Sequence, residues 1–144
     1  MRLIPIAKTR GIQRNGFDEM IDPRVLGRYA EDLAAKYLVS IGWKVLARNV
    51  RNDYGELDIV ALDTKEIPEE LVIVEVRCRT RNKVQEAIDS IDRRKMNALL
   101  KSSNEYVDDI GWSGFWRIDL IAVTIDTRGS LEDWTLEHIK DITS

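Results

Sequence analysis

The stretch that most constrains this chain is Leu71 to Arg79, LVIVEVRCR. A run this dense in valine and isoleucine reads as a strand buried on both faces. Side chains alternate across a strand. Val72, Val74, Val76 and Cys78 therefore share one face, and Ile73, Glu75, Arg77 and Arg79 share the other. Glu75 is out of place in such a strand, because a buried, unpaired carboxylate is costly. The stretch before it, Glu56 to Leu62, carries the same anomaly. Leu57, Ile59 and Ala61 point one way, and Glu56, Asp58 and Val60 the other. Two readings stay open. One is an ion-pair network, Glu75 with Arg77 or Arg79, on a solvated sheet face. The other is a metal site, with Asp58 and Glu75 converging from neighbouring strands. Mg²⁺ suits the second reading, because it takes oxygen ligands, keeps several waters and needs one or two protein carboxylates.

Around these strands the punctuation is clear. Asp22 is a candidate N-cap, and Pro23 suits a first helical turn. Val25, Leu26, Tyr29, Ala30, Leu33, Ala34, Tyr37, Leu38 and Ile41 follow at helical spacing, and Gly42 supplies a stop. Trp43 to Arg48 is a strand, Asn52 to Gly55 a hairpin turn, and Glu56 to Leu62 the returning strand. A charged loop, Thr64 to Glu70, leads into the valine-rich strand. A second helix is expected over Val84 to Tyr106, ended by the Gly111–Gly114 stretch. Phe115 to Ile125 and Trp134 to Ile139 read as the last strands. The order α-β-β-β-α-β-β predicts an α/β fold, a central mixed β-sheet flanked by helices. Residues 1–21 lack periodicity and read as a flexible tail, leaving 22–144 as a single domain.

Composition narrows the class. The chain has 144 residues, enough for one domain with a real core. The single Cys78 excludes an internal disulfide and a cysteine-rich zinc cage, and a cytoplasmic location is expected. No apolar run nears the ~18 residues of a membrane span, so no membrane partner is expected. The start has basic residues without the apolar segment of a secretory signal. The net charge of −3 argues against an all-over basic coat but leaves room for a local basic face.

One ordered set of motifs carries a resemblance. Gly27 to Gly42 reads GRYAEDLAAKYLVSIG. It is followed by Asn49, by Gly55-Glu56-Leu57-Asp58, by Val74-Glu75-Val76-Arg77-Cys78-Arg79, by Lys95 and by Arg117-Ile118-Asp119. This pattern resembles the YraN-like family of small bacterial proteins, which is similar to archaeal Holliday-junction resolvases and belongs to the PD-(D/E)XK nuclease superfamily. The likeness runs from about Gly27 to His138. It implies a restriction-endonuclease-like core and a metal-dependent endonuclease acting on structured or branched DNA through metal-activated water. It also implies roles: Asp58, Glu75 and the Val76 carbonyl hold Mg²⁺ or Mn²⁺, and Glu31 acts through water or a second ion. A two-fold homodimer is a further implication. The chain departs from the superfamily at Arg77, where lysine is usual. Arginine keeps the charge and clamps phosphate, but its pKa is too high for proton transfer. A non-catalytic nucleic-acid-binding module on the same fold is therefore the alternative. Lys95 is the residue that would compensate. It falls on the inward stripe of the second helix, four after Ile91 and four before Leu99. It either snorkels to solvent or reaches the carboxylates.

Basic residues gather after the acidic strand: Arg77, Arg79, Arg81, Lys83, Arg93, Arg94, Lys95 and Lys101, against Glu86, Asp89 and Asp92. Such a cluster is either a solvated face or a grip on a phosphate backbone. Arg79, Arg81, Lys83 and Arg94 are the nucleic-acid contacts it suggests, with DNA the expected partner. Trp43, Trp116 and Trp134 sit at strand positions and read as core. Trp112, between two glycines, is the better stacking candidate. His138 and Cys78 read as structural, and Asp119 as a partner of Arg117.

Overall fold

The computed structural model describes residues 2–4, 22–80, 84–126 and 131–143. In chain order the elements are β1 (Arg2–Ile4), α1 (Pro23–Ser40), β2 (Lys44–Asn52), β3 (Gly55–Asp63), β4 (Glu70–Thr80), α2 (Val84–Asp89), α3 (Arg93–Asp109), β5 (Trp116–Ile125) and β6 (Trp134–Ile139). The six strands form one sheet in the order β1-β6-β5-β4-β3-β2. Among the described residues only β4 and β5 run parallel; the other neighbours are antiparallel. That parallel pair needs a crossover, and α2 and α3 supply it. The result is the expected α/β architecture, a mixed sheet flanked by helices with a restriction-endonuclease-like core.

The two sheet faces carry separate cores. Ala30, Leu33, Ala34, Tyr37 and Leu38 of α1 cover Ile59, Ala61, Val72, Val74, Ile121 and Val123. Leu99 and Val107 of α3 cover Leu57, Val60, Leu71, Ile73 and Ile118. β4 is thus apolar on both sides, as its composition requires. Leu57 departs from simple alternation, since it packs under α3 while Ile59 and Ala61 pack under α1. The irregularity sits where β3 is no longer paired with β4, whose register begins at Ile59–Val74.

Local chemistry sets the helix ends. Asp22 accepts from the Arg24 N–H at 2.9 Å, with Pro23 opening α1. At its far end the Gly42 N–H bonds the Val39 carbonyl and the Trp43 N–H bonds Leu38. Gly42 holds φ +90, the left-handed residue this closure needs. The same closure ends α3, where Trp112 N–H reaches Val107 and Gly111 holds φ +69.

Three expectations need correction. The helix expected over Val84 to Tyr106 is two helices. Ser90 turns its hydroxyl back onto the Ala87 carbonyl, and Asp92 caps a new start by accepting from the Lys95 N–H at 2.8 Å. Within the stretch read as a tail, Arg2–Ile4 pair with Leu136–His138; residues 5–21 lie outside the described residues. The strand expected over Trp43 to Arg48 is β2, which runs on to Asn52 and shortens the hairpin turn to Asp53 and Tyr54.

Candidate metal centre

Asp58 and Glu75 are the first residues past the last β3–β4 pair, Ile59–Val74. Beyond it the strands no longer exchange backbone bonds. The Val76 N–H instead donates to the Asp58 carboxylate Oδ2 at 2.8 Å. The fork between the two strands therefore holds two carboxylates. Burial pushes the Asp58 carboxyl up to about 7, and the charge of Glu75 adds to the rise against the Val76 hydrogen bond. The charge of Glu31 adds a further, smaller push.

Glu75 is 3% exposed. Its Oε1 receives two cations, Arg77 Nη2 at 3.3 Å and Lys95 Nζ at 3.4 Å. Its Oε2 is buried without a hydrogen-bond partner, as is Arg77 Nε. Lys95 thus points inward to the acid rather than away from it, although it begins a helix that excludes Ile91. Leu99, one turn on, anchors the same face in the core.

Glu31, on α1, is tied to Glu56 through Asn49, and its charge reaches Asp58. The Asn49 amide donates to Glu31 Oε2 at 3.0 Å and to Glu56 Oε1 at 3.2 Å. Asn49 lies between the pairs Arg48–Ile59 and Val50–Leu57 with φ +51. Asparagine tolerates that left-handed backbone better than most residues. Its bridging role was not assigned from sequence; its place in the ordered motif set was the available signal.

The donor chemistry fits a hard divalent ion. Asp58 Oδ1 and Glu75 Oε2 are the acceptors left over, and the Val76 carbonyl belongs to the same stretch of β4. Among the described residues no group of three or more His, Cys, Asp or Glu side chains stands ready to hold a metal. An ion here would keep water or phosphate in its remaining positions, as Mg²⁺ does.

The basic residues divide. Arg79 folds back, with Nη1 donating to the Cys78 carbonyl at 2.9 Å. Arg94 is exposed on α3. Arg81 and Lys83 lie outside the described residues. The first turn of α3 holds Arg93, Arg94 and Lys95, and its last turn holds Asp108 and Asp109. Both groups oppose the helix dipole, at a cost of ~0.3–1 kcal/mol for an exposed charge.

The remaining candidates are structural. Arg117 binds Asp119 at 3.0 Å, Asp63 at 3.0 Å and Glu70 at 2.7 Å, and its guanidinium lies over Trp43. Asp119 also accepts from the Asp141 N–H and bonds His138 Nε2, whose Nδ1 meets the Tyr37 hydroxyl. Burial pushes the Asp119 carboxyl up, but hydrogen bonds from His138, Arg117 and Asp141 outweigh it and hold the group below its ordinary value. Trp43 and Trp134 are buried. Trp112 donates Nε1–H to the Phe115 carbonyl and packs against the α3 core, so its ring is committed to the fold. Cys78 is a free thiol raised by burial. Among the described residues no helix is long and apolar enough to cross a membrane.

Comparison with known proteins gives the family. The family described as "Uncharacterised protein family UPF0102" matches residues 30–123, which span Glu31, Asp58, Glu75 and Lys95. A UPF0102 protein of Pelotomaculum thermopropionicum is 39% identical over 85% of this chain and 98% of its own length. One of Chlorobium chlorochromatii is 34% identical over 81% and 88%. A solved structure of Pyrococcus furiosus SfsA with Ca²⁺ is more distant, at TM-score 0.32 and 15% identity over 84% of this chain and 64% of that one. Matched through the helix, the strand fork and the parallel pair that together build the carboxylate site, the chain belongs to the UPF0102 family.

Proposed function

We propose that this protein binds nucleic acid and acts as a metal-dependent endonuclease on structured or branched DNA. The observation that carries the reading is the strand fork. The half-buried Asp58 and the buried Glu75 meet there, Glu75 keeps Oε2 without a hydrogen-bond partner, and Asp58 is pushed up to about 7 by burial and by Glu75. A divalent cation relieves that strain. Asp58, Glu75 and the Val76 carbonyl would hold Mg²⁺ or Mn²⁺, with Glu31 acting through water or a second ion. Bound there, the ion supplies Lewis-acid activation of water and of the phosphodiester.

The chain's own residues do the rest. The Val76 N–H fixes the Asp58 carboxylate. Asn49 fixes Glu31. Arg77 and Lys95 place positive charge beside Glu75, where the negative charge of a reacting phosphate would build. Arg77 cannot give or take a proton. Lys95 brings an ammonium group, the kind of cation that the arginine at position 77 does not provide. DNA as substrate, and a homodimer as the working unit, belong to this same reading.

A second reading rests on those cations. Because both already neutralise Glu75 Oε1, the fork also suits a module that binds nucleic acid without cutting it. Incubation of wild type and Asp58→Ala with branched DNA and Mg²⁺ or Mn²⁺ separates the two. The endonuclease reading expects cutting by wild type alone. Equal cutting by both would sink it. Salt-sensitive binding that survives Glu75→Ala, with no cutting by wild type, would favour the binding module.

A further inference from the structure

The β2–β3 turn is pinned against α3. The Asn52 amide donates to the Ser102 carbonyl at 2.9 Å, and its Oδ1 accepts from the Ser102 hydroxyl at 2.9 Å and from the Tyr54 N–H at 3.1 Å. Ser102 is buried, so water competes weakly for these bonds. The turn is a fixed wall.

Between this wall and α3 lies an open cleft of about 640 Å³. That is within the ~300–1,000 Å³ of clefts that take small ligands. Tyr54 and Asp53 line the turn side, and Arg93, Arg94, Asn97 and Lys101 line the helix side. Tyr54 is 52% exposed. Both arginines and the lysine are exposed, and none is ion-paired among the described residues. The fold does not ask for this arrangement: the cations at the α3 start oppose the helix dipole, and an exposed aromatic at a turn buries little.

The two walls differ in chemistry. Arg94, Asn97 and Lys101 recur at three- and four-residue spacing on one helix face, a track for phosphates. Asp53 repels phosphate from the turn side and leaves Tyr54 there as a flat apolar ring. A base stacks on such a ring only if its face is free, which excludes an intact duplex. The next residue after Arg94 is Lys95, which reaches Glu75. The cleft and the strand fork thus draw on the same first turn of α3, Arg93 and Arg94 lining the one and Lys95 serving the other.

We propose that this cleft holds a single-stranded nucleic-acid segment, with a base stacked on Tyr54 and phosphates on Arg94 and Lys101. The inference rests on the nucleic-acid reading above and adds the kind of strand it takes. An unpaired segment is what a branched or frayed DNA offers beside its duplex arms.

The test is fluorescence anisotropy on the full chain, with a labelled oligothymidylate of about 20 nucleotides and a blunt duplex of equal length. Tyr54→Ala is expected to weaken single-strand binding roughly 5- to 150-fold, leave duplex binding within about twofold, and keep the salt slope. Tyr54→Phe keeps the ring and is expected to bind like wild type. The double variant Arg94→Ala, Lys101→Ala is expected to lower the single-strand salt slope by about 1.4. Thermal melts of each variant check that it is folded. Equal single-strand affinity of Tyr54→Ala and wild type, with wild type still cutting branched DNA, overturns the cleft and leaves the proposed function. Failure of wild type to bind any DNA at about 50 mM salt overturns both. Poly-L-glutamate displacing the strand as effectively as unlabelled oligothymidylate makes the cleft a generic polyanion groove, and so also overturns the inference.

Discussion

Asp58 gives one oxygen to the Val76 amide and keeps the other unbonded in a setting that burial makes hostile to its charge. The consequence for stability has a definite sign. Folding pushes this carboxyl up to about 7 from the 3.8 usual for an exposed aspartate. Without metal, the destabilisation is absent below pH ~4, grows between the two values and is complete above pH ~7. Asp58→Asn keeps the acceptor for Val76 and removes the charge. It is expected to raise the melting temperature at pH 8 in chelator, by no more than about 4 kcal/mol of stability, and to leave it unchanged near pH 3.5. Mg²⁺ is expected to raise the melting temperature of wild type and not of Asp58→Asn, since a ligand stabilises only what it binds. A thermal melt with and without Mg²⁺ reads this independently of cleavage, and an equal Mg²⁺ shift in both proteins would remove Asp58 from the metal site. At this scale the sequence is informative for Asp58 and Glu75, because a carboxylate in a valine strand is anomalous wherever the chain folds. It marks Asn49 as a motif position but not its role, because its reach to Glu31 depends on a left-handed backbone set by pairing across the hairpin.

Among the elements, α3 matters most, because its first turn carries Lys95 to Glu75 and its body seats Leu99 in the core. The start of this helix depends on Asp92, which caps the Lys95 N–H. Asp92→Ala is expected to cost about 1 kcal/mol, read as a lower urea midpoint with an unchanged slope. A change in slope instead would mean that the cap governs more than its own turn. The break before α3 is hard to see in the sequence. Ala87, Ile88, Ile91, Ala98 and Leu99 nearly keep helical spacing through it, and the interruption comes from Ser90 and Asp92 competing for local backbone groups. The strands β3, β4 and β5 are legible because their apolar runs are bounded by turn residues. The departure of Leu57 from alternation is not, because it follows from the strands parting at the fork.

Across the whole molecule, Arg117 is the polar tie. It joins Asp63 at the end of β3, Glu70 at the start of β4 and Asp119 within β5. Asp119 carries the tie to β6 through His138, and His138 to α1 through Tyr37. The Arg117–Asp119 pair follows from strand parity alone, whereas Asp63 and Glu70 enter only when distant segments meet. Asp63 and Asp119 are 1% and 0% exposed. Arg117→Leu leaves both without their cation and is expected to cost about 3–5 kcal/mol. Chemical denaturation measures it; a loss below about 1 kcal/mol would show that water reaches these acids. This network and the carboxylate fork are separate, so destabilisation here should leave the residual folded fraction able to bind metal. The reversed charges of α3 have a different consequence. In the free protein, like charges crowd each end of the helix, and salt relieves that repulsion by screening. Bound to a polyanion, the same cations lose affinity as salt displaces the phosphates. Raising ionic strength therefore steadies the empty helix while loosening its complex. The repulsion tolerated in the unbound state becomes part of the driving force for capture.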